Sequence, residues 1–191
     1  FFNINEANTN EQMQAIARQI DPVLSKHQDD IYLNKKLFTR IKAVYENRSQ
    51  LSLDSQQIRA TAKYFRDFER MGANLPEDKQ EQLRKINAEL SLLSLNFGQN
   101  LLAETNKNFK LVIEDSNDLS GLPQGVINGA AEAATDAGLA GKWVFTLSKP
   151  SLIPFLQYAD NRELREKIYR GYFMRGNNGN ENDNNAIVSR M

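Results

Sequence analysis

The sequence predicts a mainly α-helical protein, built from antiparallel helical hairpins, that carries a small two-stranded β-element. Apolar residues recur every three or four positions almost as far as Asn106, which is the rhythm of amphipathic helices. After Asn106 the rhythm changes. A two-residue rhythm at about 109–114 and the run KWVFTL at 142–147 are typical of strands, and helical spacing then returns.

The first helices are predicted from apolar stripes and capping residues. A first stripe consists of Met13, Ile16 and Ile20. We expect a second or continuing helix to start with Asp21 as N-cap and Pro22 in its first turn, and to extend to about Tyr45. A third helix is expected to begin at the Asp54 cap and to end near Gly72. Its apolar positions are Ile58, Ala62, Phe65 and Phe68.

The longest helix is predicted over about 76–105. Pro76 suits its first turn, and the acidic Glu77 and Asp78 lie near the positive end of the helix dipole. At 1.5 Å per residue such a helix is roughly 45 Å long. Leu92, Leu95 and Leu102 lie off the main apolar stripe, so more than one face is apolar. This pattern favours a helix packed inside a larger helical body over a two-stranded coiled coil. The main stripe consists of Leu83, Ile86, Leu90, Leu93 and Phe97.

The C-terminal half alternates between the two kinds of structure. A helix of small residues follows Pro123 and separates the two strands. Two more helices are expected within 151–175, followed by an Asn-rich and Gly-rich loop. The pattern divides the chain into a helical part (1–107), a small β-containing part (108–150) and a second helical part (151–191). Both ends interrupt a pattern, so we expect 1–191 to be a fragment of a larger helical region.

Composition limits the classes of function. The 24 basic residues balance the 24 acidic ones, whereas proteins that hold nucleic acid or an anionic membrane usually carry a basic excess. The chain has no cysteine, which excludes disulfides, thiolate catalysis and cysteine-ligated metal sites. No apolar run approaches the ~20 residues of a membrane span. We therefore expect a soluble protein without nucleic-acid or membrane partners; composition does not fix its compartment.

His27, the only histidine, is the first candidate for a metal ligand. A zinc site usually recruits several His or Cys residues, so we favour an ordinary helix-end or surface role for it. The sequence contains no G-x-S-x-G elbow and no glycine-rich phosphate loop. Pairs of carboxylates for glycoside chemistry stay open, because 24 acids offer many unspecific pairs. We predict that this chain contains no catalytic, cofactor-binding or metal-binding residue.

The segment 162–175 is the most charged one and allows two interpretations. Its arginines alternate with aromatic residues, as in surfaces that stack nucleic-acid bases. The spacing instead favours a self-neutralising helix face, because Glu163–Lys167, Arg162–Glu166 and Glu166–Arg170 are each four residues apart. We prefer this structural interpretation, with Leu164, Ile168 and Tyr172 as the buried stripe. The residues that suggest nucleic acid are Arg162, Arg165, Arg170, Arg175, Tyr169, Tyr172 and Phe173.

Several separated motifs together resemble a known family. The run FRDFERMGANLPEDKQEQLRKINAELSLLSLNFGQNLL resembles the helical N-terminal region of the thimet oligopeptidase family of zinc metallopeptidases, and within it the bacterial peptidyl-dipeptidase (Dcp) branch. The same order is kept by IYLNKKLFTRIKAVY, LSGLP, GKWVFTLSKPSLIPFLQYADNRELREKIYRGYFMRG and the Asp-Asn of NDNN. The resemblance covers nearly the whole chain. It implies a bacterial protein and leaves open whether the compartment is the cytoplasm or the periplasm.

The resemblance implies an enzyme whose zinc is held by H-E-x-x-H and a downstream Glu, with the motif Glu as general base. No H-E-x-x-H occurs here, so Zn²⁺ is expected only in a full-length parent, and this piece is expected to be inactive alone. In such relatives the helical part walls a channel that admits oligopeptides, from which the enzyme releases C-terminal dipeptides. The expected partners are oligopeptide substrates and the catalytic part of the same polypeptide. The alternative is a free-standing helical interaction module without enzymatic activity.

Overall fold

The computed structural model describes all residues, 1–191, and confirms a mainly α-helical fold with one two-stranded antiparallel sheet. The chain forms two compact units, Phe1–Leu95 and Asn96–Met191. This division into two units differs from the three parts that the sequence predicts, 1–107, 108–150 and 151–191. Those three parts stay a prediction about the domains. None of the helices is long and apolar enough to cross a membrane.

The first unit consists of helices, most of them started by a side-chain cap. Asn10 accepts a hydrogen bond from the Met13 N–H at 2.9 Å, and Asn34 accepts one from the Leu37 N–H at 3.0 Å. Asp54, which the sequence predicts as the cap of the third helix, forms a complete capping box with Gln57. The helices are α1 (Phe2–Ala7), α2 (Glu11–Tyr32), α3 (Lys35–Glu46), α4 (Ser55–Arg70) and α5 (Glu77–Ala103), whose last residues belong to the second unit.

The predicted helix start at Asp21 and Pro22 is wrong. Helix α2 continues through Pro22, and the break falls at Asn34, which caps α3. A proline inside a helix costs about 3 kcal/mol relative to alanine. Ala17 and Asp29, on opposite sides of Pro22 in the sequence, are both buried, so packing holds one continuous helix despite this local cost.

The core of the first unit is small and aromatic. Phe38 of α3 lies 6.2 Å from Phe68 and 5.7 Å from Phe65, both on α4, measured between ring centroids. Tyr45, later in α3, stacks on Phe65 at 4.2 Å, so the residue order runs in opposite directions along the two helices. This is the antiparallel hairpin that the apolar stripes predict. Tyr32 closes the cluster at 4.9 Å from Phe68.

The second unit builds helices around a short ribbon. The strands β1 (Leu111–Ile113) and β2 (Trp143–Phe145) are antiparallel, with Val112 opposite Val144, and lie inside the predicted ranges 109–114 and 142–147. A π-helical turn, Glu104–Asn108, follows α5 and a 3₁₀ turn, Ser116–Leu119, follows β1; neither is predicted from the sequence. The other helices are α6 (Gln124–Asp136), α7 (Lys149–Tyr158), α8 (Arg162–Phe173) and α9 (Asn185–Arg190).

The core of the second unit lies between the ribbon and α6, α7 and α8. Leu111 and Ile113 are buried and Val112 between them is exposed, which is the alternation expected for a strand covered on one face. Phe145 of β2 packs against Phe155 of α7, with ring centroids 4.5 Å apart. Further buried members are Leu119, Leu122, Ala130, Leu147, Leu152, Ala159 and Ile168.

Candidate functional site

The structure places His27 at an exposed position within α2, away from any helix end. No three His, Cys, Asp or Glu side chains anywhere in the chain lie close enough together to hold a metal ion. The residues present therefore do not fit the zinc site that the resemblance implies. Whether the chain lacks catalytic and metal-binding residues stays a prediction.

The arginine-rich helix α8 is bound into its own unit. Ile168 is buried, and Leu164 and Tyr172 pack against the same core. Of the three predicted ion pairs only Glu166–Arg170 forms, at 2.7 Å. Because the pair is exposed, it contributes only about 0.3–0.5 kcal/mol.

Two arginines of this segment fasten the ends of helices. Arg165 donates hydrogen bonds to the carbonyl oxygens of Ala159 and of Asp160, just after α7, the second at 2.9 Å. Arg175 lies 3.8 Å from the centroid of the Tyr172 ring and donates to Thr105 Oγ1 at 2.6 Å. These contacts support the structural interpretation of the segment 162–175. The expectation that the chain does not bind nucleic acid stays a prediction.

The most elaborate polar site surrounds Glu104, in the π-helical turn after α5. Its side chain is buried, with 3% of the residue exposed. Oε1 accepts hydrogen bonds from Asn108 Nδ2 and Asn180 Nδ2, both at 2.7 Å, and Oε2 accepts one from Asn178 Nδ2. Burial alone raises the pKa of this carboxyl. The amides and the backbone N–H of Gly176 outweigh that effect and hold the pKa below its usual range.

The Glu104 site fastens the Asn-rich loop, residues 177–184, to the turn after α5. Asn184 adds two bonds of its own, because its Nδ2 donates to the Phe97 carbonyl oxygen at 3.2 Å and its Oδ1 accepts from Asn100 Nδ2 at 2.9 Å. The sequence correctly predicts a loop here, but not that it is held by a buried charge. Side-chain amides are neither acids nor bases at neutral pH, so they cannot exchange a proton with the Glu104 carboxylate. We therefore assign the Glu104 site a structural role.

Sequence reasoning missed Glu104 because a glutamate near the end of an amphipathic helix normally faces water. The only available signal was compositional. The segment 177–185 holds six asparagines, more than a turn needs, and a buried carboxylate is one of the few groups that can use several amide donors. The Asp-Asn pair within it, Asp183 and Asn184, is one of the motifs that carry the family resemblance.

The first unit leaves much of its apolar surface uncovered. It exposes more large apolar side chains than it buries. Helix α5 buries only Gln80, whereas Ile86 is 57% exposed and Leu90 is 41% exposed. The expected burial of the α5 stripe is therefore not found within this chain. Other exposed apolar residues on the helices of this unit are Val23, Leu24, Ile31, Leu37, Val44, Ile58 and Tyr64.

The accessible area gives this exposure a magnitude. The chain exposes 12816 Å² for a mass of 21.8 kDa. Two separate folded proteins of half this mass would together expose about 11,200 Å² by the usual scaling of surface with mass. The excess of about 1,600 Å² is twice the ~800 Å² that one partner contributes to a standard interface. Excess accessible area of this size, together with the exposed apolar side chains of the first unit, is typical of a surface that packs against further protein.

The chain is similar over its whole length to known peptidases. It is 36% identical over 191 residues to the dipeptidyl carboxypeptidase of Escherichia coli K12, and it spans 28% of the length of that protein. It is 33% identical over 174 residues, 89% of the chain, to oligopeptidase A of Haemophilus influenzae, of which it spans 25%. It is 32% identical over 186 residues, 94% of the chain, to the probable cytosolic oligopeptidase A of Arabidopsis thaliana, of which it spans 26%. No protein-family model matches the chain.

Proposed function

Because the chain belongs to the thimet oligopeptidase family, as a segment spanning about 28% of the length of its relatives, we propose that it is a non-catalytic helical part of a zinc-dependent peptidase. The whole enzyme would hydrolyse short peptides and release C-terminal dipeptides. This segment would form one wall of the channel that the peptides enter.

The observation that carries the proposal is the uncovered apolar surface of the first unit. A free-standing protein of this mass exposes less area, and exposed apolar residues such as Val44 on α3 and Ile86 on α5 have the character of a surface made to be packed. The rest of the polypeptide is the occupant we assign to it, because the related peptidases are three to four times longer than the aligned segment.

The chemistry of hydrolysis is assigned to residues outside this chain. One exposed imidazole and no thiol do not make a zinc site, and the buried Glu104 carboxylate is saturated with hydrogen bonds. The contribution of this segment would be steric. A wall of packed hairpins would admit an extended peptide and exclude a folded protein. The size of the substrate, and not its side chains, would then be the first basis of selectivity.

The polypeptide that contains this segment tests the proposal. We expect it to release the C-terminal dipeptide from an N-blocked tetrapeptide, with the reaction stopped by a zinc chelator and restored by added Zn²⁺. A folded protein that carries the same C-terminal residues should be left intact. Absence of hydrolysis, or hydrolysis unaffected by the chelator, would contradict the proposal.

The alternative, a free-standing interaction module, predicts a different solution behaviour. A module should be monomeric at all concentrations when the chain is studied alone. The segment of a larger enzyme should self-associate through its apolar helix faces and bind a hydrophobic dye. Sedimentation velocity over a range of concentrations separates the two.

A further inference from the structure

A cleft in the first unit opens between α2 and α5. Its volume is about 280 Å³; hydroxyl and amide side chains surround one carboxylate, that of Asp29, and the apolar Met71 and Leu90 complete the lining. We call it the Asp29 cleft. Ser25, Tyr32 and Asp29 line it from α2, and Asn87 and Ser91 line it from α5.

Asp29 is buried without a counter-charge. The residue is 6% exposed, and its only hydrogen bond is the one that Asn87 Nδ2 donates to Oδ1 at 2.7 Å. Asp29 takes part in none of the ion pairs of the chain. Every side-chain nitrogen or oxygen that is fully enclosed in the chain has a hydrogen-bond partner. The second carboxylate oxygen of Asp29, Oδ2, has none, so it is not fully enclosed. This oxygen therefore opens on the cleft.

The neighbouring Asp30 shows the opposite arrangement. Its side chain is half exposed, yet it binds two cations, Lys26 Nζ at 2.7 Å and Arg84 Nη1 at 2.8 Å. Carboxylates in water gain little from such pairs, whereas a carboxylate taken out of water needs one. Lys26 and Arg84 therefore bind the exposed Asp30 carboxylate, which gains little from them. The buried Asp29 carboxylate is left to bind a cation from another molecule.

We propose that the Asp29 cleft binds a primary ammonium group. Oδ2 of Asp29 would accept one N–H, and the hydroxyl oxygens of Ser25 and Ser91 supply further acceptors for the three donors of an ammonium. Tyr32 lies three residues after Asp29, on the same side of α2, and an aromatic ring attracts a cation. A cleft of about 280 Å³ has room for the ammonium and one or two attached residues of a peptide, but not for a folded domain.

A peptide is the source of the ammonium that the proposed function supplies, and this identification rests on that function. Ammonium binding itself does not, because the cleft lies wholly within the described chain and needs no hydrolysis. The group would be either the α-ammonium of a peptide N-terminus or the ε-ammonium of a lysine. Both ammonium groups carry one positive charge. They differ in the length of the chain that joins the nitrogen to the peptide backbone.

Titration of the 191-residue chain with small probes, at a concentration where sedimentation shows the monomer, tests the proposal. The probes are alanyl-alanine amide, its N-acetylated form, and Nα-acetyl-lysine amide, with binding followed by amide chemical shifts of the residues around the cleft. We expect a millimolar dissociation constant for at least one ammonium probe and none measurable for the acetylated dipeptide. Binding of the dipeptide alone identifies an N-terminus, and binding of the lysine derivative identifies a side chain. No binding of either up to about 50 mM, or equal binding of the acetylated form, would overturn the proposal.

Three variants locate the effect. Asp29→Asn keeps the oxygen that accepts from Asn87 and removes only the charge, so the affinity for the ammonium probe should fall at least tenfold. The matched control, Asp30→Asn, removes the adjacent exposed charge and should change the affinity less than threefold. Ser91→Leu keeps the carboxylate but fills the cleft, and it should also abolish binding. Equal losses in Asp29→Asn and Asp30→Asn would mean a general charge effect and would refute the site.

The urea midpoint of the free chain gives a readout without any ligand. Asp29→Asn should raise the midpoint, because it relieves an uncompensated buried charge, whereas Asp30→Asn should leave it unchanged or lower it. A lowered midpoint for Asp29→Asn would show that the carboxylate is already compensated within the chain, contrary to the proposal. Neither measurement involves peptide hydrolysis, so failure of the cleft and failure of the proposed peptidase function are separate results.

Discussion

Replacing Glu104 by glutamine should destabilise the second unit although the change removes a single charge and almost no volume. The carboxylate accepts hydrogen bonds from Asn108, Asn178 and Asn180 and from the Gly176 N–H. A glutamine keeps one acceptor oxygen and turns its amide nitrogen, itself a donor, towards one of the donating asparagines. At least one bond to a charged acceptor is lost and the others become neutral. At about 1.5–3 kcal/mol for a bond to a charged group, the expected loss is about 2–4 kcal/mol.

The loss should depend on pH in a defined direction. Because the pKa of Glu104 is lower in the folded chain than its ordinary value of 4.5, its stabilising effect is fully present above that value. It is lost as the pH falls through the lower folded pKa. The difference in unfolding free energy between the wild-type chain and Glu104→Gln should therefore be largest at neutral pH and should shrink below about pH 4.5.

Urea unfolding followed by the fluorescence of Trp143 measures this difference. Trp143 is the only tryptophan, and it lies in β2, so its signal reports on the second unit. Glu132→Gln, an exposed glutamate on α6, is the matched control and should change the stability by no more than about 0.5 kcal/mol. The reasoning fails if Glu104→Gln matches that control at neutral pH, or if its deficit is the same at pH 3.

Three further predictions concern stability and association. Gly121→Ala should cost about 2–4 kcal/mol, because Gly121 has φ +84° and an added Cβ would overlap the Tyr158 carbonyl oxygen. Gly138→Ala, at φ +73° in open space, should cost only about 1–2 kcal/mol, and equal urea midpoints for the two variants would refute the steric argument. Asp54→Ala removes the capping box of α4 and should lower the free energy of unfolding by about 0.5–2 kcal/mol. Urea unfolding followed by circular dichroism measures this loss, and an unchanged midpoint would mean that the cap contributes nothing. The isolated chain should sediment as concentration-dependent oligomers, and a single monomeric species at all concentrations would contradict the packing role of its apolar faces.

Local patterns predicted the elements whose signals agree with one another. For α4, an N-cap, an apolar stripe and a terminal glycine all indicate the same helix, and the structure forms it from Ser55 to Arg70. At Pro22 the signals conflict. The local preference of Asp-Pro for a helix start lost to packing around Ala17 and Asp29, which no local pattern reveals.

The polar sites could not be predicted, because each joins residues that are far apart in the sequence. Glu104 meets Asn178 and Asn180 more than 70 positions later, and Asp29 meets Asn87 58 positions later. Acidic and amide residues have no periodic signature, so nothing in the sequence separates a buried Asp29 from its exposed neighbour Asp30. The family resemblance, by contrast, could be found from the sequence, because it rests on several long motifs in a fixed order, and the similarity to known peptidases confirms it.

Peptide hydrolysis by the 191-residue chain alone tests the central claim most directly. The chain is incubated with an N-blocked tetrapeptide and Zn²⁺, and released dipeptide is measured beside the longer polypeptide that contains the same segment. We predict hydrolysis by the longer polypeptide and none by the chain, because one exposed histidine and a saturated glutamate offer no metal site. Release of dipeptide by the chain alone, abolished by a chelator, would contradict the account.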